Sequence, residues 1–364
     1  MDCKKRKMNY GKQSINKEDI LAVEEVLNGT SLTGGSKINE FEEALAAYTG
    51  AKYAVVCSNG TAALHLLAMA LKPTIVSVPD ITFMATANAW AHEGAQVQIV
   101  DVQPDQPMMK DTYGFVVPVH MAGFPIDPSR FRGAVIEDAC HALGASWIDD
   151  GYYRMVGDCA YSKATVFSFH PVKPITTGEG GAITTNDEAL ATKLRQLRSH
   201  GIEDGNYTLN HIGLNYRMTD IQAALGISQL KRLPSFINRR RAIAQQYDAA
   251  FTDLDIVGIK ELGWQRSGYH LYTLRVANRN TFKLKLASKG INTQIHYKPI
   301  HMLEYYEKAR INELSFCSSS GYNDNSFPNA TKWYDTTISI PCYPDLTDDE
   351  VQYIIHNIKE IING

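Results

Sequence analysis

From residue 17 to about 235 the apolar and polar positions switch repeatedly between helical and strand periods. "NKEDILAVEEVLNG" places apolar residues at helical spacing, with Gly29 positioned to end the helix. "KYAVVC" (52–57) is a short β-branched run, followed by Ser58-Asn59-Gly60-Thr61 and then the helical "AALHLLAMAL". "TIVSVPD", a helix-like "TFMATANAWAHEG" and "VQIVDV" come next, and "GFVVPVHMAG" and "GAVIEDAC" read as buried strands. Strands separated by helix-length stretches predict right-handed βαβ units and a mainly parallel sheet. In such sheets ligands gather at the carboxyl ends of the strands.

After about residue 219 the texture changes. "DIQAALGISQLKRLPSFINRRRAIAQQYDAAF" predicts one long helix, or two meeting near Pro234. "YHLYTLRV", "INTQIHYKP" and "TISIPCYP" are strand-like, and "TDDEVQYIIHNIKEIING" is a closing helix with an Asp/Thr-rich start. Residues 314–332, rich in Ser, Asn and Gly, predict a surface loop. The expected organisation is a large α/β domain with an N-terminal arm over 1–235 and a smaller α+β domain over 236–364.

Composition narrows the functional classes. The 364 residues carry a formal net charge of −3 and a pI near 6.4. No overall basic field invites nucleic acid or an anionic membrane. The six cysteines are scattered with no C-x-x-C pair, which predicts free thiols in a reducing compartment, with no disulfide framework and no metal site. "MDCKKRKMNYG" lacks the apolar core of a signal peptide, and no apolar run is long enough to cross a bilayer. The Lys4–Lys7 cluster reads as a solvated tail. These features predict a cytoplasmic protein.

Three short stretches carry chemistry. In "SNGTAAL", Gly60 and Thr61 stand between a strand and a helix, where free N–H groups and the helix dipole favour an anion. Neither G-x-x-x-x-G-K-[ST] nor G-x-G-x-x-G is present, which removes the nucleotide P-loop and the dinucleotide fingerprint. In "AVIEDACHALG", Glu137 and Asp138 end an apolar strand and are expected at its ligand-facing end, with His141 nearby. In "FSFHPVKPITTGEGG", Lys173 lies between stiffening prolines and a glycine-rich stretch, five residues after Ser168. A lysine held still and partly desolvated serves as an imine former and proton shuttle. With Phe83 of "DITF" as a stacking aromatic, the set matches what pyridoxal 5′-phosphate requires: a phosphate seat, a partner for the pyridine nitrogen, a ring stacker and an imine former.

These blocks, with "RSHGI", "GLNYRMTDIQAALGISQLKRL" and "IHYKPIH" in the same order, resemble the DegT/DnrJ/EryC1/StrS family of sugar-nucleotide aminotransferases over nearly the whole chain. Within it, "HPVKPITTGEGGAITTND", "SGYHLYTLRV" and "TQIHYKPIH" look closest to the members serving pseudaminic acid synthesis. The segments at 72–74 and 103–114 are shorter than is usual in the family. The resemblance implies the fold type I architecture of pyridoxal-phosphate-dependent transferases. It implies Lys173 as the catalytic lysine and Gly60, Thr61 and Ser168 at the phosphate. Asp138 falls to the pyridine nitrogen, Phe83 to the ring face and His141 to the phenolic side. Asn215 of "GLNYRM" would reach the phosphate of a partner subunit, making the active unit a homodimer with shared sites. Tyr10, His296 and Tyr297 match positions near the sugar or its diphosphate.

The implied reaction moves an amino group from L-glutamate to C4 of a UDP-, dTDP- or GDP-linked 4-keto-6-deoxy sugar. Alternatives are amination at C3, or a silent sugar-nucleotide-binding or regulatory protein on the same fold. A 3-dehydratase of the family would have histidine where Lys173 stands.

Overall fold

A computed structural model describes residues 7–203, 207–311 and 326–363. Helices α1 (Lys17–Leu27) and α2 (Ser36–Thr49) lead into the sheet. Asn16 and Asp19 form a reciprocal capping box on α1. Then come β1 (Tyr53–Cys57), α3 (Gly60–Leu71), β2 (Ile75–Pro79), α4 (Ala85–His92), β3 (Gln96–Val100), β4 (Tyr113–Val116) and β5 (Arg132–Asp138). A hairpin of β6 (Ser146–Asp149) and β7 (Tyr152–Met155) precedes β8 (Ala164–Ser168), β9 (Gly181–Thr185) and α5 (Glu188–Leu197).

The central sheet has seven strands in the order β1-β9-β8-β5-β4-β2-β3. All pairings are parallel except those of β9, which runs against both β1 and β8. Alternate residues of β1 feed opposite faces: Val55 and Cys57 join Leu64, Leu67 and Trp90, whereas Ala54 and Val56 join Phe41, Leu45 and Phe167. Both faces are covered, which is why these strands read as continuous apolar runs.

Short strands β10 (Ile202–Glu203) and β11 (Thr208–Leu209) precede α6 (Asp220–Phe251). α6 is a single helix of 32 residues with Pro234 inside it, so position 235 lies within an element. Leu230, Leu233, Phe236 and Ile237 join the cluster of Phe41 and Leu45 on α2, and Ser228, Gln229 and Arg232 donate to Asp19 of α1. From Ile243 to Phe251 the helix belongs to the other apolar cluster. The remaining chain forms β12 (Val257–Gly258), β13 (Gln265–Arg266), β14 (Tyr272–Arg275), α7 (Arg279–Ser288), α8 (Glu304–Ile311), α9 (Pro328–Thr336), β15 (Thr337–Ile340) and α10 (Asp348–Asn363). β14 sits between β12 and β15 in a three-stranded antiparallel sheet.

Three expectations change. "GFVVPVHMAG" is a strand only to Val116; Pro118 has no N–H to donate, and a single bridge from Val119 to Asp138 follows. "INTQIHYKP" forms no strand, only isolated bridges such as Gln294 to Ser339. Of the loop expected at 314–332, residues 314–325 lie outside the described residues, and 328–332 are helical, opened by Pro328 in the first turn of α9. No helix among the described residues is long and apolar enough to cross a membrane.

Candidate active site

The carboxyl ends of β1, β2, β5 and β8 open on a cavity of about 780 Å³. α3 starts one turn of chain beyond β1, and Asn59 caps it by accepting the Ala62 N–H at 2.8 Å. That leaves Gly60 and Thr61 as the outward donors of its first turn. A Cβ on Gly60 would stand 3.0 Å from Ser168 Cβ and 3.1 Å from Cys140 Sγ. The helix start therefore packs directly on the residues that floor the cavity. Gly181 is more constrained: a Cβ there would meet the Asn59 carbonyl oxygen at 2.4 Å.

Asp138 ends β5 and is 4% exposed. Its Oδ2 accepts from Thr86 Oγ1 at 2.7 Å, and its Oδ1 accepts the Cys140 N–H at 3.2 Å. Thr86 has spent its only proton on this bond, so it accepts from Thr82, 2.7 Å away. The adjacent Glu137 does not share the cavity. The pleat turns it to the other face, where it accepts from His120 Nε2 (2.9 Å), Ser162 Oγ (2.5 Å) and Thr165 Oγ1 (2.9 Å). The expectation that both carboxylates face the ligand is thus corrected to Asp138 alone.

Lys173 lies in the turn between β8 and β9 and faces the cavity. Burial lowers its ammonium below the usual lysine value, opposed by the carboxylate of Asp138. One wall is aromatic. His141 Nδ1 accepts the Ala122 N–H at 3.3 Å, so its Nε2 carries the proton toward Tyr297 Oη at 3.1 Å. Burial, then the charge of Lys173, holds His141 well below the ordinary histidine range. His270, 3% exposed, packs against it at a tilt, with ring centres 4.4 Å apart. His296 bonds Ser339 Oγ through Nδ1 at 2.9 Å and is lowered to about 3, chiefly by burial. Tyr10 meets His296 edge-on at 5.1 Å. Phe83, 49% exposed, lies 5.6 Å from the Tyr297 ring.

One cavity therefore gathers Tyr10, Gly60, Thr61, Phe83, Asp138, His141, Ser168, Lys173, His296 and Tyr297. Asn215 is not among its lining residues; it is exposed and pairs with Ser199 in an isolated bridge. Sequence reasoning missed Thr86, Cys140 and His270. The Thr82/Thr86 pair, four residues apart in a mostly apolar segment, was the one available signal for the first of them. The residues fit pyridoxal 5′-phosphate: an anion seat of neutral donors, an enclosed acceptor-only carboxylate, an open ring face and a desolvated amine.

The family model described as the DegT/DnrJ/EryC1/StrS aminotransferase family matches residues 13–359. The UDP-4-amino-4,6-dideoxy-N-acetyl-beta-L-altrosamine transaminase of Campylobacter jejuni is 33% identical, over 98% of this chain and 97% of that one. Among solved structures, Helicobacter pylori PseC, an aminotransferase involved in pseudoaminic acid biosynthesis, superposes with a TM-score of 0.88 at 30% identity, covering 98% of this chain and 100% of the other. The putative sugar aminotransferase Spr1654 of Streptococcus pneumoniae, in its PLP form, gives 0.87 at 28% identity, over 98% and 99% of the two chains.

Proposed function

The chain belongs to the DegT/DnrJ/EryC1/StrS aminotransferase family, with the fold type I architecture, and on that premise we propose that it transfers an amino group from L-glutamate to C4 of a nucleotide-linked 4-keto-6-deoxy sugar, with pyridoxal 5′-phosphate as cofactor. The convergence of Lys173, Asp138 and the α3 amino terminus on one cavity carries this reading.

Bound there, the cofactor supplies a carbonyl that takes up an amino group and a ring that absorbs the electron pair left when a C–H bond breaks. The chain's own residues do the rest. Lys173, its ammonium destabilised by burial, offers a neutral amine for attack and then carries a proton away from the donor's α-carbon. In the second half of the cycle it returns a proton at C4 of the sugar. Asp138, pinned by Thr86 and the Cys140 N–H, would hold the pyridine nitrogen of the cofactor through its carboxylate. Gly60, Thr61 and Ser168 provide neutral donors for a phosphate. Phe83 offers a face for stacking, and both His141 nitrogens are occupied, so that residue meets a ligand through its ring or by releasing Tyr297.

Tyr10 and His296 stand on the wall assigned to the sugar. The exposure of Asn215, outside its own chain's cavity, supports a homodimer with shared sites. The likeness to the C. jejuni transaminase and to H. pylori PseC supports a UDP-linked sugar and the pseudaminic acid branch. A cytoplasmic setting belongs to the same reading.

An absorption spectrum of the purified protein, before and after L-glutamate, is the test. We expect a visible cofactor band that glutamate bleaches and that a 4-keto sugar nucleotide restores. Lys173→Ala should lose the exchange, with at least ~10²–10⁴-fold of the rate attributable to proton transfer alone. A protein that takes up no cofactor, or whose band ignores glutamate, would end the aminotransferase reading for this chain. Restoration by a 3-keto sugar alone would move the reaction to C3.

A further inference from the structure

Among the described residues, one group of three His/Cys/Asp/Glu side chains is spaced to hold a metal ion, and it lies outside the cavity: His65 on α3, with His92 and Glu93 at the carboxyl end of α4. Their ligand atoms all fall within 4.8 Å of one another. His65 Nε2 is 2.8 Å from Glu93 Oε1, and His92 Nδ1 is 3.8 Å from the same oxygen. Zinc bonds of about 2.0–2.1 Å in a tetrahedron set ligand atoms about 3.3 Å apart. The widest separation therefore has to close by about 1.5 Å at most. His92, with 74% of its side chain exposed, is free to swing that far. The carbonyl end of α4 adds partial negative charge beside the site.

The hydrogen bonds of His65 connect the group to the cavity. An ionised Glu93 can only accept, so the proton between it and His65 sits on Nε2. His65 Nδ1 is then left to accept the Tyr216 hydroxyl at 3.0 Å. An ion at Nε2 displaces the proton there, and the neutral imidazole carries it on Nδ1 instead. His65 now donates to Tyr216 Oη, as metal-bound histidines donate their second N–H to an outer oxygen. No proton is released by His65; the Tyr216 hydroxyl proton turns away from it. Tyr216 lines the cavity described above, and its backbone is fixed by bonds from the Ser58 N–H and to the Arg198 carbonyl.

We propose that His65, His92 and Glu93 form a site for a borderline divalent ion such as Zn²⁺ or Co²⁺, with water in the fourth position and Tyr216 as the outer partner. Two imidazoles and one carboxylate suit zinc, cobalt or nickel better than magnesium or calcium. The ion would set whether a wall residue of the cofactor cavity presents an acceptor or a donor. The position is distinct from every residue assigned to the transamination.

The full-length protein loaded with cofactor, dialysed against a chelator and titrated with Co²⁺, provides the test in difference absorption spectra. One ion per chain with tetrahedral cobalt bands, displaced by Zn²⁺, is the expected result. His92→Ala, at an exposed position, and Glu93→Gln should each abolish the bands. Tyr216→Phe should keep the bands and weaken affinity by roughly tenfold or more, the range for outer partners of a metal ligand. No stoichiometric uptake, or uptake unchanged in His92→Ala, overturns the site. Unchanged affinity in Tyr216→Phe overturns its link to the cavity.

Discussion

Asp138 is held from two sides, by a hydroxyl and by a backbone N–H, and only the hydroxyl can be removed cleanly. A hydrogen bond to a charged group contributes about 1.5–3 kcal/mol. Thr86→Val, which keeps the shape of the side chain, should therefore weaken cofactor affinity or kcat/KM by roughly ten- to a hundredfold. Wild-type values for both would mean that Thr86 leaves the carboxylate unaffected. Asp138 and Lys173 were legible in the sequence because a strand-end acid and a proline-flanked lysine are unusual neighbourhoods. Thr86 left only the hint of its spacing from Thr82, because its acid partner is 52 residues away and a threonine in a helix looks unremarkable. The turning of Glu137 to the opposite face was legible in principle, since successive strand residues alternate; the expectation that both acids face one ligand overlooked the pleat.

Among the elements, the junction of β1 with α3 depends on what β9 omits. Cys57 pairs with Gly181 in register, and the Asn59–Gly60 peptide passes directly over that glycine. A methyl at 2.4 Å from a carbonyl oxygen and 2.8 Å from the Gly60 nitrogen has to push the helix start away from Ser168. Gly181→Ala should fold with the same secondary structure by circular dichroism and bind the cofactor at least about tenfold more weakly, a loss of ~1.4 kcal/mol at the anion seat. Equal affinity in the variant would show that the cradle tolerates the shift. The sequence made β1, α3, β2, β5 and α6 readable because burial on one or both faces leaves a period. It could not show the end of β4, where a proline and a change of course leave only a single bridge. Nor could local pattern decide whether α6 continues through Pro234. Apolar side chains on both sides of the proline are buried, Leu230 and Leu233 before it and Phe236 and Ile237 after, and that packing carries the helix across the missing N–H. We propose the division into 1–235 and 236–364 with α6 as the shared element.

On the scale of the whole molecule, the aromatic wall makes stability depend on pH. His141 and His270 lie well below the usual histidine value, and His296 is lowered to about 3, in each case mainly through burial. In the unfolded chain all three take up protons below about pH 6.5, while the native state does not. The unfolded state then binds more protons, so stability falls as pH drops below that value, by about 1.4 kcal/mol per pH unit for each histidine. Denaturant titrations of the cofactor-free protein between pH 7 and 5 should show this slope, and His296→Gln should reduce it by the share of one proton. An unchanged slope in that variant would place the acid sensitivity elsewhere. The position of Asn215, exposed and outside its own cavity, bears on inheritance as well as on assembly. Under the shared-site reading, a gene encoding Lys173→Ala and another encoding Asn215→Ala are each inactive or crippled alone, yet their mixed dimers place both lesions in one site and leave the other intact. Random pairing of equal amounts makes about half the dimers mixed, so co-expression should recover about a quarter of full activity. Two defective alleles would then complement each other within a single cell, which no chain that builds its site alone can do.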